Sequence, residues 1–213
     1  MTTGERPGIP PEEPRASLSL LDYRRRVADL YATVRSSPPG TGHAAWRAGR
    51  DELFRSHPQS PIPADRQTVF PGLPVWDYDP ALRFETLLRP TQGTTIRLPH
   101  SGRGATSAVA WATAEIVIEG CAVSLTIYRL DQYGDGLLLP LRDSTSGDET
   151  YGGGRYLLDT AKGADLGSTA DSIVLDFNFA YHPSCVHDSK WSCPLAPVAN
   201  HLPVPIRGGE RLR

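Results

Sequence analysis

"EIVIEGCAVSLTIYR", residues 115–129, carries the pattern on which the fold turns. Val123, Leu125 and Ile127 alternate with Ser124, Thr126 and Tyr128, the period of two that a half-buried strand requires. Glu119, Gly120 and Cys121 interrupt the run, and glycine there supplies the backbone freedom of a tight reversal. The stretch predicts a β-hairpin, and with it antiparallel pairing.

Working outward, the same period appears where Leu82 and Phe84 alternate with Arg83 and Glu85. Further strands are expected over residues 94–98, 105–113, 137–141, 154–158 and 172–180. The N-terminal side has a different period. Leu20, Leu21, Val27, Leu30, Tyr31 and Val34 recur at helical spacing, with Arg24, Arg25 and Arg26 as a polar face. Ser19 is placed to cap this helix and Asp22 to sit in its first turn. "SSPPGTG" ends it near Arg35, and a second helix is expected over 43–55 with Trp46, Leu53 and Phe54 on one side. Helices followed by a run of strands define an α+β chain: two N-terminal helices at about 19–57, then a mainly antiparallel β-barrel or β-sandwich at about 68–210. Residues 1–16 read as a disordered arm, because Pro, Gly and charge leave little to bury, and 17–213 as a single domain.

Composition excludes several functions. With 22 Lys and Arg against 24 Asp and Glu, the net charge of -2 attracts neither nucleic acid nor anionic lipid, so no nucleic-acid or membrane partner is expected. No apolar run approaches the length of a membrane span, and the N-terminus lacks the apolar core of a secretory signal, so a cytoplasmic location is expected. Three cysteines do not make a disulfide scaffold. No interface that would set an oligomeric state is readable.

Two segments concentrate chemistry. In "LRDSTSGDETYGGGRY", residues 141–156, three consecutive glycines permit unusual backbone conformations or close approach to a ligand. They do not form a nucleotide-binding P-loop, which needs a Lys and a Ser or Thr opening a helix, whereas here a strand follows. Arg142 and Arg155 can present bidentate forks to a carboxylate or phosphate, or pair with Asp143, Asp148 or Glu149 to staple the loop. Tyr151 and Tyr156 are proton donors or lids over the core. In "VLDFNFAY", residues 174–181, an extended strand would put Leu175, Phe177 and Phe179 on one face and Asp176 and Asn178 on the other. Asp176 is then a candidate base if that second face borders a pocket.

The following loop holds His182, Cys185, His187 and Cys193, donor types that zinc prefers. Their spacing matches none of the common knuckles, so a zinc site from these four is the lesser reading and no cofactor is favoured; flavin has no diagnostic motif. A Cys185–Cys193 disulfide, or Cys185 as a nucleophile activated by His187, are the other readings of this loop, beside small buried side chains.

The segments "WRAGRDELFRSHPQSPI" (46–62), "LPLRDSTSGDETYGGGRYLLD" (139–159) and "LDFNFAYHPSCVHDSKWSCPLAPVANHLPVPIRGGE" (175–210) resemble the bacterial and archaeal DUF1684 family, whose function is unknown. The family pattern runs close to TSG-x-ETYGGGRY, then DFN-x-AYNP-x-C and CPLxPxEN. Thr145, Ser146, Gly147, Glu149, Thr150 and the run from Tyr151 to Tyr156 match the first; Asp176, Phe177, Asn178, Ala180, Tyr181, Pro183, Cys185, Cys193, Pro194, Leu195 and Asn200 match the rest. Two positions depart. His182 stands where the family has Asn, and Ala199 where it has an acid, so a shared metal site cannot depend on the first, and either the second is not an essential base or this member has changed activity. The resemblance supplies no reaction.

Taken together, the residues suggest a small-molecule enzyme with a polar pocket between the two segments. Glu149, Tyr151 and Asp176 would be catalytic, and Arg142, Arg155, Tyr156, Asn178 and Tyr181 would bind substrate. The alternative is a non-catalytic ligand-binding or structural module in which the same residues form a hydrogen-bonded buckle.

Overall fold

The computed structural model describes residues 14–212. The expected arm falls mainly on 1–13, outside the described residues, while Pro14 to Ala16 already belong to the first helix. Helix α1 (Pro14–Arg35) therefore starts before Ser19, which lies inside it rather than capping it. Helix α2 (Pro39–Ser56) begins four residues earlier than expected, because the proline pair that stops one helix starts the next. Pro39 occupies the first turn, where a missing N–H costs nothing and the fixed φ suits the helix. Buried Trp46 on α2 donates its indole N–H to the Tyr31 hydroxyl on α1 at 3.1 Å. A one-turn helix, α3 (Ala64–Gln67), follows.

The rest is an antiparallel sheet of β1 (Arg83–Pro90), β2 (Thr95–Pro99), β3 (Ala105–Ile118), β4 (Cys121–Leu130), β5 (Leu137–Leu141), β6 (Arg155–Asp159) and β7 (Ser172–Asp176). Their spatial order is β6-β5-β4-β3-β1-β7, with β2 also pairing β3, and the sheet curls into a half-barrel. The α+β expectation holds. The central hairpin pairs Ile118 with Cys121 across Glu119 and Gly120, both at positive φ (50° and 77°), as a two-residue primed turn demands.

The first arm of that hairpin is one strand of 14 residues, not the two pieces expected. A bulge between Ala110 and Ala112 makes it serve two cores. Ala110 opposes Tyr128, on the face under the helices, whereas Ala112 opposes Ile127, on the inner face. One inserted residue thus reverses the buried face within a single strand, which regular alternation cannot do. Inside the curl lie Ala114, Ile116, Leu125, Ile127, Leu139 and Leu175, closed by Leu202, Val204 and Ile206 of the C-terminal segment. Under the helices lie Tyr31, Trp46, Phe54, Tyr128, Leu138 and Phe179.

The strand expected over 172–180 stops at Asp176. Residues Phe177–Phe179 form a 3-10 turn capped by the Asp176 carboxylate. The two-face reading of this segment is corrected accordingly: Phe177 enters the inner core and Phe179 the helix-side core, with Asp176 and Asn178 buried between.

Candidate functional site

The Gly-rich loop is organised around a buried carboxylate. Asp143 accepts from the backbone N–H of Thr145 at 2.8 Å, from the Thr145 hydroxyl, from Ile206 N–H at 3.3 Å and from Arg155 Nη2 at 2.9 Å. Arg155 is 1% exposed and also donates to the carbonyls of Ile206, Gly208 and Glu210. Burial lowers its pKa, and the Asp143 charge opposes that shift. Arg155 is thus a staple between the loop and the C-terminal segment, with no fork turned to an external anion. Gly154 makes the strand entry possible: its φ is +99° and a Cβ there would strike the Leu141 carbonyl.

Glu149 lies at the surface, gripped by Arg207 Nε at 2.9 Å and Nη2 at 2.8 Å, and this partner lowers its pKa. Asp176 is buried elsewhere, accepting from Asn178 N–H at 3.1 Å, Asn178 Nδ2 at 2.7 Å and the Tyr78 hydroxyl at 3.1 Å. Burial raises its pKa against those hydrogen bonds. The Asn178 amide is spent as well, on the Asp79 backbone N–H at 2.8 Å and carbonyl at 2.7 Å. The two expected acid–base carboxylates share no partner, and the cleft of about 60 Å³ beside Asp176 is too small for a substrate. Arg142 meets the C-terminal segment only through its backbone and makes no ion pair among the described residues.

Part of the two motif segments does come together. Tyr156 and Tyr181 exchange backbone hydrogen bonds at 2.8 and 3.0 Å, and Tyr151 N–H donates to His182 Nε2 at 3.2 Å. That bond leaves the His182 proton on Nδ1, and burial holds the ring down to about 4. The Cys185 thiol lies 3.9 Å from the Tyr151 hydroxyl, whose pKa is raised by burial and then by that thiol. All three cysteines are free. Among the described residues no group of three or more His, Cys, Asp or Glu is placed to hold a metal. The set His182, Cys185, His187 and Cys193 is therefore not assembled, since His182 turns to Tyr151 and His187 packs edge-on against Phe54 at 5.2 Å.

The largest deviation from expectation lies beneath this buckle. Arg50 of α2 is buried and ion-paired with Glu210, its Nε 2.8 Å from Oε1. Burial works against both charges, yet each holds the other ionised: the Arg50 pKa is raised and the Glu210 pKa lowered. The guanidinium lies 5.2, 4.9 and 4.8 Å from the ring centres of Trp46, Phe54 and Tyr181. Glu210 Oε2 also accepts from His182 N–H at 2.7 Å. Two cavities adjoin this cluster. One, of about 300 Å³, lies between α1, α2 and the wall of Tyr156, Tyr181 and Trp191, and Arg50 borders it. The other, of about 460 Å³, is bordered by Phe70, Leu73, His187 and Glu210. Sequence reasoning missed Arg50, although Trp46, Arg50 and Phe54 recur every fourth residue and put a charge on an apolar helical face.

The profile of a family described as a protein of unknown function, DUF1684, matches residues 68–211. This chain belongs to the DUF1684 family. The match begins after the helices, so the resembling segment 46–62 lies outside it. The chain is also similar to an uncharacterized protein of Haloarcula marismortui solved by solution NMR, with 34% identity, a TM-score of 0.60, and coverage of 81% of this chain and 93% of that one. Comparison with curated proteins gives no match. Ala199, where the DUF1684 resemblance expects an acid, is exposed beside fully buried Asn200, which bonds Thr126 N–H at 2.7 Å and the carbonyls of Thr126 and Pro140, each at 2.8 Å. The departure therefore falls on solvent-facing surface.

Proposed function

We propose that this DUF1684 member is a non-catalytic, cytoplasmic small-molecule-binding protein whose ligand occupies the cavity between α1, α2 and the Tyr156–Tyr181 wall. One observation carries the reading. Asp143, Asp176 and Asn178 spend their polar side-chain atoms on the protein itself, as Arg155 does both terminal nitrogens, while the aromatic wall of Tyr156 and Tyr181 borders about 300 Å³ of space. That volume is at the lower end of the roughly 300–1,000 Å³ typical of small-ligand pockets. An acid–base enzyme is not supported, because Glu149 is bound by Arg207 at the surface and Asp176 is enclosed elsewhere. Free thiols at all three cysteines fit a reducing setting.

Saturation-transfer NMR with a fragment library tests the proposal. Fragments should contact the wild type and lose contact in Leu20→Trp, which fills the cavity from a partly exposed position of α1. A library without hits, or hits indifferent to Leu20→Trp in a variant that melts like the wild type, would refute it.

A further inference from the structure

We infer that this cavity takes an amphipathic anion, a carboxylate or phosphate carried on a flat apolar body. The inference rests on the binding reading above and adds the ligand's chemistry. Tyr23, Tyr31, Phe54, Tyr156, Tyr181 and Trp191 supply a wall suited to an aromatic or similarly flat body. Arg24, Arg50 and Lys162 border the same space, and among the described residues no Asp or Glu does.

The disposition of the buried ion pair sharpens this asymmetry. Arg50 borders this cavity and Glu210 the other, so the pair shows its positive member to one space and its negative member to the next. Glu210 takes the Arg50 Nε and Nη2 hydrogen bonds; Nη1 has no acceptor among the described residues, and the side chain is 10% exposed. Trp191 Nε1 is buried without an acceptor among the described residues. Both unpaired groups are donors, and a ligand that complements them brings acceptors. Arg24, exposed on α1 and in no ion pair among the described residues, and Lys162, 57% exposed with Nζ 5.9 Å from the Tyr156 ring centre, add positive charge at the rim. Asp159, which pairs with Lys162 at 2.8 Å, does not border the cavity. Charge complementarity of this kind selects among ligands of equal shape.

Isothermal titration of the full chain with four probes of one shape decides the matter: 2-naphthoate, 2-naphthyl phosphate, 2-naphthamide and 2-naphthylmethylamine. At least one anion should bind about tenfold or more tightly than the amide, and the amine most weakly. Carboxylate and phosphate arms show which anion is preferred. Arg50 is avoided because its loss strands Glu210, and Lys162 because its loss strands buried Asp159; Arg24→Gln, at an exposed position without an ion pair among the described residues, should keep the melting temperature and reduce the preference for the anion. Equal binding of amide and anions, abolished by Leu20→Trp, would overturn the anion inference and leave the binding site standing. If no probe binds in a Leu20→Trp-sensitive manner, both readings fall.

Discussion

Asp143 gathers four hydrogen bonds where its side chain has no contact with solvent, and Arg155 supplies the opposite charge. Removing one partner of such a pair strands the other, at a cost of about 3–5 kcal/mol. Asp143→Ala should lose stability on that scale in urea unfolding, whereas Asp143→Leu with Arg155→Met, which removes both charges, should lose less. Glu149 and Asp176 are predicted to part company in the same assay. Glu149→Gln breaks only an exposed pair and should melt near the wild type. Asp176→Ala removes the acceptor for Asn178 and Tyr78 and leaves buried donors unpaired, for about 1–3 kcal/mol or more. His182 sets a pH dependence. Burial holds it at about 4 when folded against 6.5 as a free side chain, despite Glu210 beside it and with Arg155, His187 and Arg50 opposing protonation. Below pH 6.5 the unfolded chain therefore binds a proton that the folded chain refuses, and stability falls progressively toward pH 4 by ~3 kcal/mol. Glu210, its pKa lowered, adds stability present above 4.5 and lost as pH falls below that value. His182→Gln, whose Oε1 reaches the place of Nε2, should keep the Tyr151 contact and flatten the decline between pH 6.5 and 4, read by melts across that range.

At the level of elements, glycines with positive φ are not equivalent. Gly120 turns the β3–β4 hairpin in open space, so alanine there meets only conformational strain, about 1 kcal/mol. Gly154 immediately precedes β6, and alanine there adds a clash of its Cβ with the Leu141 carbonyl to about 1–3 kcal/mol of strain. Thermal denaturation of the two variants should rank Gly154→Ala as the more damaging. The bulge in β3 and the Pro38–Pro39 boundary are the other decisive local devices. The first lets one strand line both cores; the second lets two helices lie almost end to end in sequence yet fold back on each other.

Across the whole molecule, the C-terminal segment binds the structure together. Leu202, Val204 and Ile206 close the inner core, the carbonyls of Ile206, Gly208 and Glu210 receive Arg155, and the Glu210 side chain receives Arg50 from α2. Sheet, Gly-rich loop and helices thus meet through a few residues near the end of the chain. A ligand in the adjoining cavity should raise the melting temperature in proportion to its occupancy, and a Leu20→Trp variant should show no such rise.

Local pattern alone was enough to determine the two long helices, the antiparallel pairing and the hairpin, though neither the full length of β3 nor the end of β7, because a period of 3.6 or 2 in apolar residues records which side of an element is buried. It also marked the Gly-rich and cysteine segments as meeting, as Tyr151 with His182 and Tyr156 with Tyr181 do. Only the tertiary structure decided what the polar residues do. A carboxylate reads alike in sequence whether it faces Arg207 in water, as Glu149 does, or a closed ring of donors, as Asp143 and Asp176 do. Arg50 and Glu210 stand 160 residues apart, and neither the pair nor the cavity beside it exists until the helices settle on the sheet. Periodicity encodes burial along one element; a site depends on partners from several, and their proximity is a property of packing.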